Sequence, residues 1–257
     1  MRHFIEPLLS LLLAALLIGG GQYAAANGLV SPLILPAPSE VLFAMIDGFR
    51  SGNYLTDLLS TTGSLLAGFA LGTVISLVFA GLLISLPLLE RVLTPFIVAF
   101  QSMPKVAIAP LIILWIGFGE ASKIVIVVTV CFFPIMVNTL QGLRIRDRDR
   151  YELLRSLGAS RWQMFWHLRL PDAVPYIFAG LHIGAIFALI GAVVAEFVGS
   201  SSGLGYAMLQ AKASFDVPGV YVCLFLLMVL GIALNMIMTR IERRMSFWAQ
   251  DLSSVTP

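Results

Sequence analysis

LLSTTGSLLAGFALGTVISLVFAGLLI, residues 58–84, contains no charged side chain and no proline. A helix needs roughly 20 mainly apolar residues to cross the hydrocarbon core of a bilayer, and this stretch exceeds that. Working outward, similar runs cover residues 8–26, 92–117, 122–143, 174–198 and 219–239. They are apolar on all sides and rich in Leu, Ile, Ala and Gly, without the two-residue alternation of a membrane barrel strand. The expectation is an all-α integral membrane protein with six transmembrane helices, forming one domain over residues 1–257. Composition agrees. Of 257 residues, 59% are apolar and only 12% charged, and the mean hydropathy is +0.94. Soluble domains carry about a quarter charged residues, so a water-soluble enzyme is excluded. Cys131 and Cys223 lie inside apolar runs, offering neither a disulfide framework nor metal-ligand spacing. A net charge of +2 gives no footprint for nucleic acid.

The first run needs separating from a secretory signal. Arg2, a short apolar core ending at Ile18 and the Ala24-Ala25-Ala26 triplet have that outline, but the expectation is a retained first span. Orientation follows from basic residues, which concentrate on the cytoplasmic side. Arg144, Arg146, Arg148, Arg150, Arg155, Arg161 and Arg169 fall between the fourth and fifth runs. Arg240, Arg243 and Arg244 follow the sixth, Arg2 precedes the first, and Arg91 lies between the second and third. The other side has only Arg50, Lys123 and Lys212. Both termini and the arginine-rich loop are therefore expected in the cytoplasm. On the outer side, residues 27–57 include Leu35-Pro36-Ala37-Pro38-Ser39-Glu40, where Ser39 is positioned to cap a short amphipathic helix.

The loop 144–171 reads RIRDRDRYELLRSLGASRWQMFWHLRLP. Asp147, Asp149 and Glu152 favour a helix start, with Arg155 within one turn of Glu152. Gly158 has the character of a helix stop. A second amphipathic helix from about Ser160 presents Trp162, Phe165, Trp166 and Leu168, and Pro171 is expected to break it. On these residues alone, a membrane-surface hairpin remains open beside a protein-docking role.

Glu152, then Gly158, nine residues, and Leu168-Arg169-Leu170-Pro171 resemble the EAA loop of ABC importer permeases. Leu153 and Leu154 stand where that pattern has two alanines, and Leu168 where it has isoleucine. The chain is also similar to the nitrate/sulfonate/taurine-type permeases in Leu35-Pro36-x-Pro38, Pro104-Lys105-Val106-Ala107-x-Ala109-Pro110-Leu111 and Trp115-Ile116-Gly117-Phe118-Gly119-Glu120-x-Ser122-Lys123. Phe133-Pro134-Ile135-x-x-Asn138-Thr139, Ala195-Glu196-Phe197 and Gly203-Leu204-Gly205-Tyr206 continue the likeness. The resemblance implies the type I ABC importer permease fold and a bacterial inner-membrane location. It also implies a second permease copy, two cytoplasmic ATPase subunits, and a periplasmic or lipid-anchored substrate-binding protein, all within membrane lipid. In that setting Glu152, Leu153, Leu154, Ser156, Leu157, Gly158 and Ala159 would form the ATPase-coupling segment. A short helix rigidly continued into the spans would pass on a rigid-body shift.

No catalytic residue, cofactor or metal is expected in this chain. It lacks the Gly-x-x-x-x-Gly-Lys-Ser/Thr phosphate loop. Gly199-Ser200-Ser201-Ser202-Gly203 fits a hydrolase elbow, but that motif needs a strand before its serine. His182 and Glu196 lie about 20 Å apart along a helix, too far to assist one nucleophile. Among polar groups in the spans, Gln101, Lys105, Asn138 and Glu196 are the substrate-path candidates. Ser102, His182 and Asn235 read as interhelical hydrogen-bonding groups. Lys105, beside Pro104, favours an anionic solute such as a sulfonate, taurine or nitrate. However, Gly-Ser-Ser-Ser-Gly-Leu-Gly-Tyr and Gln-Ser-Met-Pro-Lys also resemble permeases for pyrimidine-type vitamin precursors. An ATP-independent channel or carrier is the further alternative, though the paired halves of secondary carriers are absent.

Overall fold

The computed structural model describes residues 2–144 and 148–245. Arg146, Asp147, the side chain of Arg2 and the cytoplasmic tail expected after the last span lie outside the described residues. The helices run α1 (Arg2–Ala26), α2 (Pro38–Arg50), α3 (Asn53–Ser85), α4 (Pro87–Ser102), α5 (Ala109–Ile116), α6 (Glu120–Arg144) and α7 (Arg148–Ser156). They continue through α8 (Arg161–Met164), α9 (Leu170–Gly199), α10 (Leu204–Ala213) and α11 (Val217–Met245). No strand occurs among the described residues. Packing divides them into two units: residues 2–61 with 202–229, and 62–144, 148–201 with 230–245.

In the first unit, α3 supplies the caps that α10 lacks. Gly203 precedes α10 and has no side chain to accept its amides. Instead Asp57 accepts from Gly203 N–H at 2.8 Å, and Thr61 Oγ1 accepts from Leu204 N–H at 2.8 Å. These are side-chain caps delivered from another helix. Ser202 meets Ser60 at 2.9 Å, so that serine of the elbow-like pentapeptide has a hydroxyl neighbour and no preceding strand. Ser39 is not the cap of α2. Ala37 occupies that position, and Glu40 accepts from its N–H at 3.1 Å. The reason is Pro38, which suits the first helical position and moves Ser39 inside, where its N–H meets Gln22 Oε1.

In the second unit, α6 is the central post. Val127, Cys131 and Ile135 are fully buried among Leu65 and Phe69 of α3, Ala185, Ala188 and Ala192 of α9, and Leu234 of α11. Small residues set the closeness of these helices. A Cβ on Gly68 would fall 2.5 Å from Val127 Cβ, and one on Gly72 2.5 Å from Cys131 Sγ. Across the other face, Gly180 and Gly184 lie on Ile135, and Gly191 lies on Val127. Gly68-x-x-x-Gly72 and Gly180-x-x-x-Gly184 therefore serve packing within the chain, where glycine lets backbones approach.

Four described helical stretches are long and apolar enough to span a bilayer: Asn53–Ser85, Glu120–Arg144, Arg161–Gly199 and Val217–Met245. The run expected as one helix over 92–117 is instead two, Pro87–Ser102 and Lys105–Ile116, bent by 88°. Pro104 causes this break: it disfavours helical geometry in the residue before it, and Met103 is extended at φ −74°, ψ 139°. A second correction concerns Pro171, which does not break its helix. Phe165–Arg169 form a π-turn, with Leu170 N–H bonded to Phe165 O, and the helix continues into α9. Proline normally clashes with the carbonyl four residues back; the wider turn just before Pro171 relieves that clash.

Candidate coupling site and substrate-path residues

The junction between α7 and α8 is capped on both sides. After α7, Gly158 adopts φ +77°. Ala159 N–H then bonds to Leu154 O at 3.0 Å, and Gly158 N–H to Arg155 O at 3.1 Å. This pair of bonds is the Schellman motif, which requires a left-handed residue. Two residues on, Ser160 Oγ accepts from Gln163 N–H, while Gln163 Oε1 accepts from Ser160 N–H at 2.8 Å. That reciprocal capping box starts α8. The glycine stop expected at 158 is therefore present, with a defined restart two residues later.

Ion pairs fix this loop to the bundle. Arg150 reaches Asp172 at 2.9 Å, joining α7 to the head of α9. Arg144, at the end of α6, reaches Glu90 of α4 at 2.6 Å. Glu152 pairs with Arg148 at 3.1 Å rather than with Arg155, and both partners are well exposed. Beneath the loop Met164 and Leu168 are buried. Outside it, Leu153 is 60% exposed, Leu157 74% and Trp162 69%. Trp162 and Trp166 pack edge to face, and Trp162 stacks on Phe165. An apolar surface of this kind on a pinned helix invites a protein partner.

The four path candidates do not converge. Gln101 and Lys105 come together at the break after α4: Lys105 Nζ donates to Gln101 O at 3.1 Å and lies 5.4 Å from the centre of the Phe133 ring. This is cation–π range. Asn138 instead donates to Pro134 O at 2.8 Å on its own helix. Glu196 is 1% exposed within α9. Lys123, counted from sequence only as an outer-side charge, is 2% exposed and pairs with Glu120. The α6–α9 register, with Val127 on Gly191 and Ile135 on Gly184, places Lys123 level with Ala195 and Glu196. The spacing Glu120-x-x-Lys123 held the available signal for that pair. His182 joins α9 to α11, its ring nitrogens lying 3.2 Å from Asn235 Oδ1 and 2.9 Å from Glu242 Oε2. Glu242 was not singled out from sequence, where it is one charge among the arginines that follow the last run.

These features describe a helical protein with several membrane-length helices and, in the loop before α9, a capped and ion-paired helix that exposes leucine. The chain belongs to the binding-protein-dependent transport system inner membrane component family, which it matches over residues 72–247. It is 36% identical to the formylaminopyrimidine transport permease protein ThiX of Halalkalibacterium halodurans, covering 81% of this chain and 83% of that one. It is 36% identical to the riboflavin transport system permease protein RibX of Chloroflexus aurantiacus, covering 84% and 80%. With the putative aliphatic sulfonates transport permease protein SsuC of Bacillus subtilis it shares 32% identity over 93% and 86%. The chain is thus a type I ABC importer permease and a multi-pass inner-membrane protein. The family implies a separate ATPase and a substrate-binding protein as its partners.

Proposed function

We propose that residues 1–257 act as one permease domain with six spans and both termini cytoplasmic, paired with a second copy to form the path. Two ATPase subunits grip the loop 144–171 through Leu153, Leu154, Leu157 and their neighbours Glu152, Ser156, Gly158 and Ala159. A periplasmic or lipid-anchored binding protein delivers the solute. The observation that carries this reading is exposed leucine on a helix held by the Arg150–Asp172 pair and the capped junction. A partner that moves this helix moves the head of α9 with it.

Glu152→Lys puts a like charge beside Arg148 on the exposed face of α7. The expected result is recovery of the tagged chain from membranes at wild-type yield, but with much less ATPase subunit attached in a mild-detergent pull-down. Undiminished ATPase recovery together with normal transport would remove these residues from the coupling surface.

For the solute, we favour a small anion such as a sulfonate, taurine or nitrate, because the Lys105 ammonium sits at the helix break with one carbonyl and one ring as neighbours. A pyrimidine- or vitamin-like solute is the second reading, favoured by the names of the formylaminopyrimidine and riboflavin permeases that this chain resembles. Lys105→Met separates them. Uptake of an anionic solute should fall several-fold while a neutral heterocycle is spared. Equal loss of both solutes would make Lys105 structural.

A further inference from the structure

A cavity of about 510 Å³ opens at the junction of α3 and α4, lined by Ile84, Pro87, Glu90, Arg91, Thr94 and Arg144. Its charges are unevenly spent. Arg144 places both Nε and Nη2 on Glu90 Oε1, each at 2.6 Å, so that acid is neutralised within the protein. Arg91 also lines the cavity, and its guanidinium makes no hydrogen bond or ion pair among the described residues. α4 begins at its wall, and the residue before it, Leu86, offers no side-chain acceptor to the first-turn amides. The local field is therefore positive, from one unpaired cation and a helix start.

The flank of this cavity is apolar. Leu88 and Val92, which bracket Arg91 on α4, are both exposed. The cavity also lies at the end of two membrane-length helices, α3 ending at Ser85 and α6 at Arg144. An unpaired guanidinium at a span boundary, with exposed leucine and valine beside it, matches an amphiphile whose head is anionic and whose body is hydrocarbon. Guanidinium also suits phosphate better than ammonium does, since its planar fork donates two bonds at once.

We propose that this cavity binds the phosphate headgroup of an anionic phospholipid, with Arg91 and the free Nη1 of Arg144 as donors and the acyl chains lying along Leu88 and Val92. With the orientation proposed above, the lipid would belong to the cytoplasmic leaflet; the site itself does not depend on that orientation. A free phosphate would use the same donors but gain nothing from the apolar flank, so the lipid is favoured. Basic pockets between spanning helices recognise headgroups in this way.

The test is native mass spectrometry of the purified full-length chain in detergent, with phosphatidylglycerol or phosphatidylcholine added. Wild type should retain phosphatidylglycerol preferentially. Arg91→Gln should weaken retention about five-fold, and Arg91→Lys should keep part of it. An excess of inorganic phosphate should not displace the lipid. Equal retention by wild type and Arg91→Gln overturns the site. Displacement by phosphate, with no preference between the two lipids, overturns the lipid assignment in favour of a soluble anion. Recovery of the ATPase subunit with Arg91→Gln is measured in parallel and should be unchanged. Failure of the coupling reading then shows in wild type without affecting the lipid result.

Discussion

Replacing Gly158 by valine is expected to cut solute uptake by roughly tenfold or more while leaving the chain in the membrane. A Cβ at this position would meet no atom within 4 Å, so crowding is not the reason. The reason is φ +77°. Left-handed geometry costs an ordinary residue roughly 1–2 kcal/mol, and a β-branched residue is a genuine outlier there. Valine would be driven out of that region, breaking the bonds from Ala159 to Leu154 and from Gly158 to Arg155. α7 would then lose its fixed angle to α8. Gly158→Asn is the control, because asparagine visits this region more readily, and it should transport better than the valine variant. Uptake assays in membrane vesicles, with the importer's ATPase and binding protein present, read both. Equal transport by wild type and Gly158→Val would mean that the junction angle does not matter for coupling.

Gly68→Leu is expected to have the largest effect on folding. Its Cβ would sit 2.5 Å from Val127 Cβ and 3.1 Å from Ile124 O. Val127 Cβ is bonded directly to the backbone, so no side-chain rotation can clear it, and Val127 is fully buried. α3 must then move away from α6. Overpacking of this kind costs about 1–3 kcal/mol, occasionally more. The thermal unfolding midpoint of the detergent-purified chain should fall by several degrees. Gly81 lies on the same helix, and a Cβ there would have no atom within 4 Å, so Gly81→Leu should melt close to wild type. If the two variants melt together, the close approach of α3 to α6 is wrong.

How far the fold could be read from residues alone depends on which physical signal each feature uses. Hydropathy locates membrane-embedded segments, so the centres of the runs at 58–84, 122–143 and 219–239 coincide with α3, α6 and α11. It says little about where a helix stops in water, and α3 and α11 extend to Asn53–Ser85 and Val217–Met245. Pro104 carries a local signal for a break, through its effect on the preceding residue, although the apolar run 92–117 was expected as one span. Pro171 was misread, because the turn that accommodates it lies upstream and leaves no mark in the proline itself. Gly158 was legible, since a glycine between two amphipathic stretches has few other uses. The fate of Gly68-x-x-x-Gly72 was not, because a small residue signals closeness without naming its neighbour. Lys123 looked like an ordinary end-of-span charge. Its burial arises from how α6 packs, which no local pattern encodes. Among the path candidates, Gln101 and Lys105 are joined by a hydrogen bond, four residues apart across the break that follows Ser102.

The unbroken run Arg161–Gly199 has 39 residues, about 58 Å at 1.5 Å per residue, or nearly twice the hydrocarbon thickness of roughly 30 Å. The aromatic cluster at Trp162 and the buried Glu196 therefore sit near opposite ends of a single rod. Pro171 is absorbed by the π-turn before it, and Pro175 lies inside the helix without ending it. A continuous helix carries a tilt applied at its aromatic end along its length, so the acidic end is expected to shift with it.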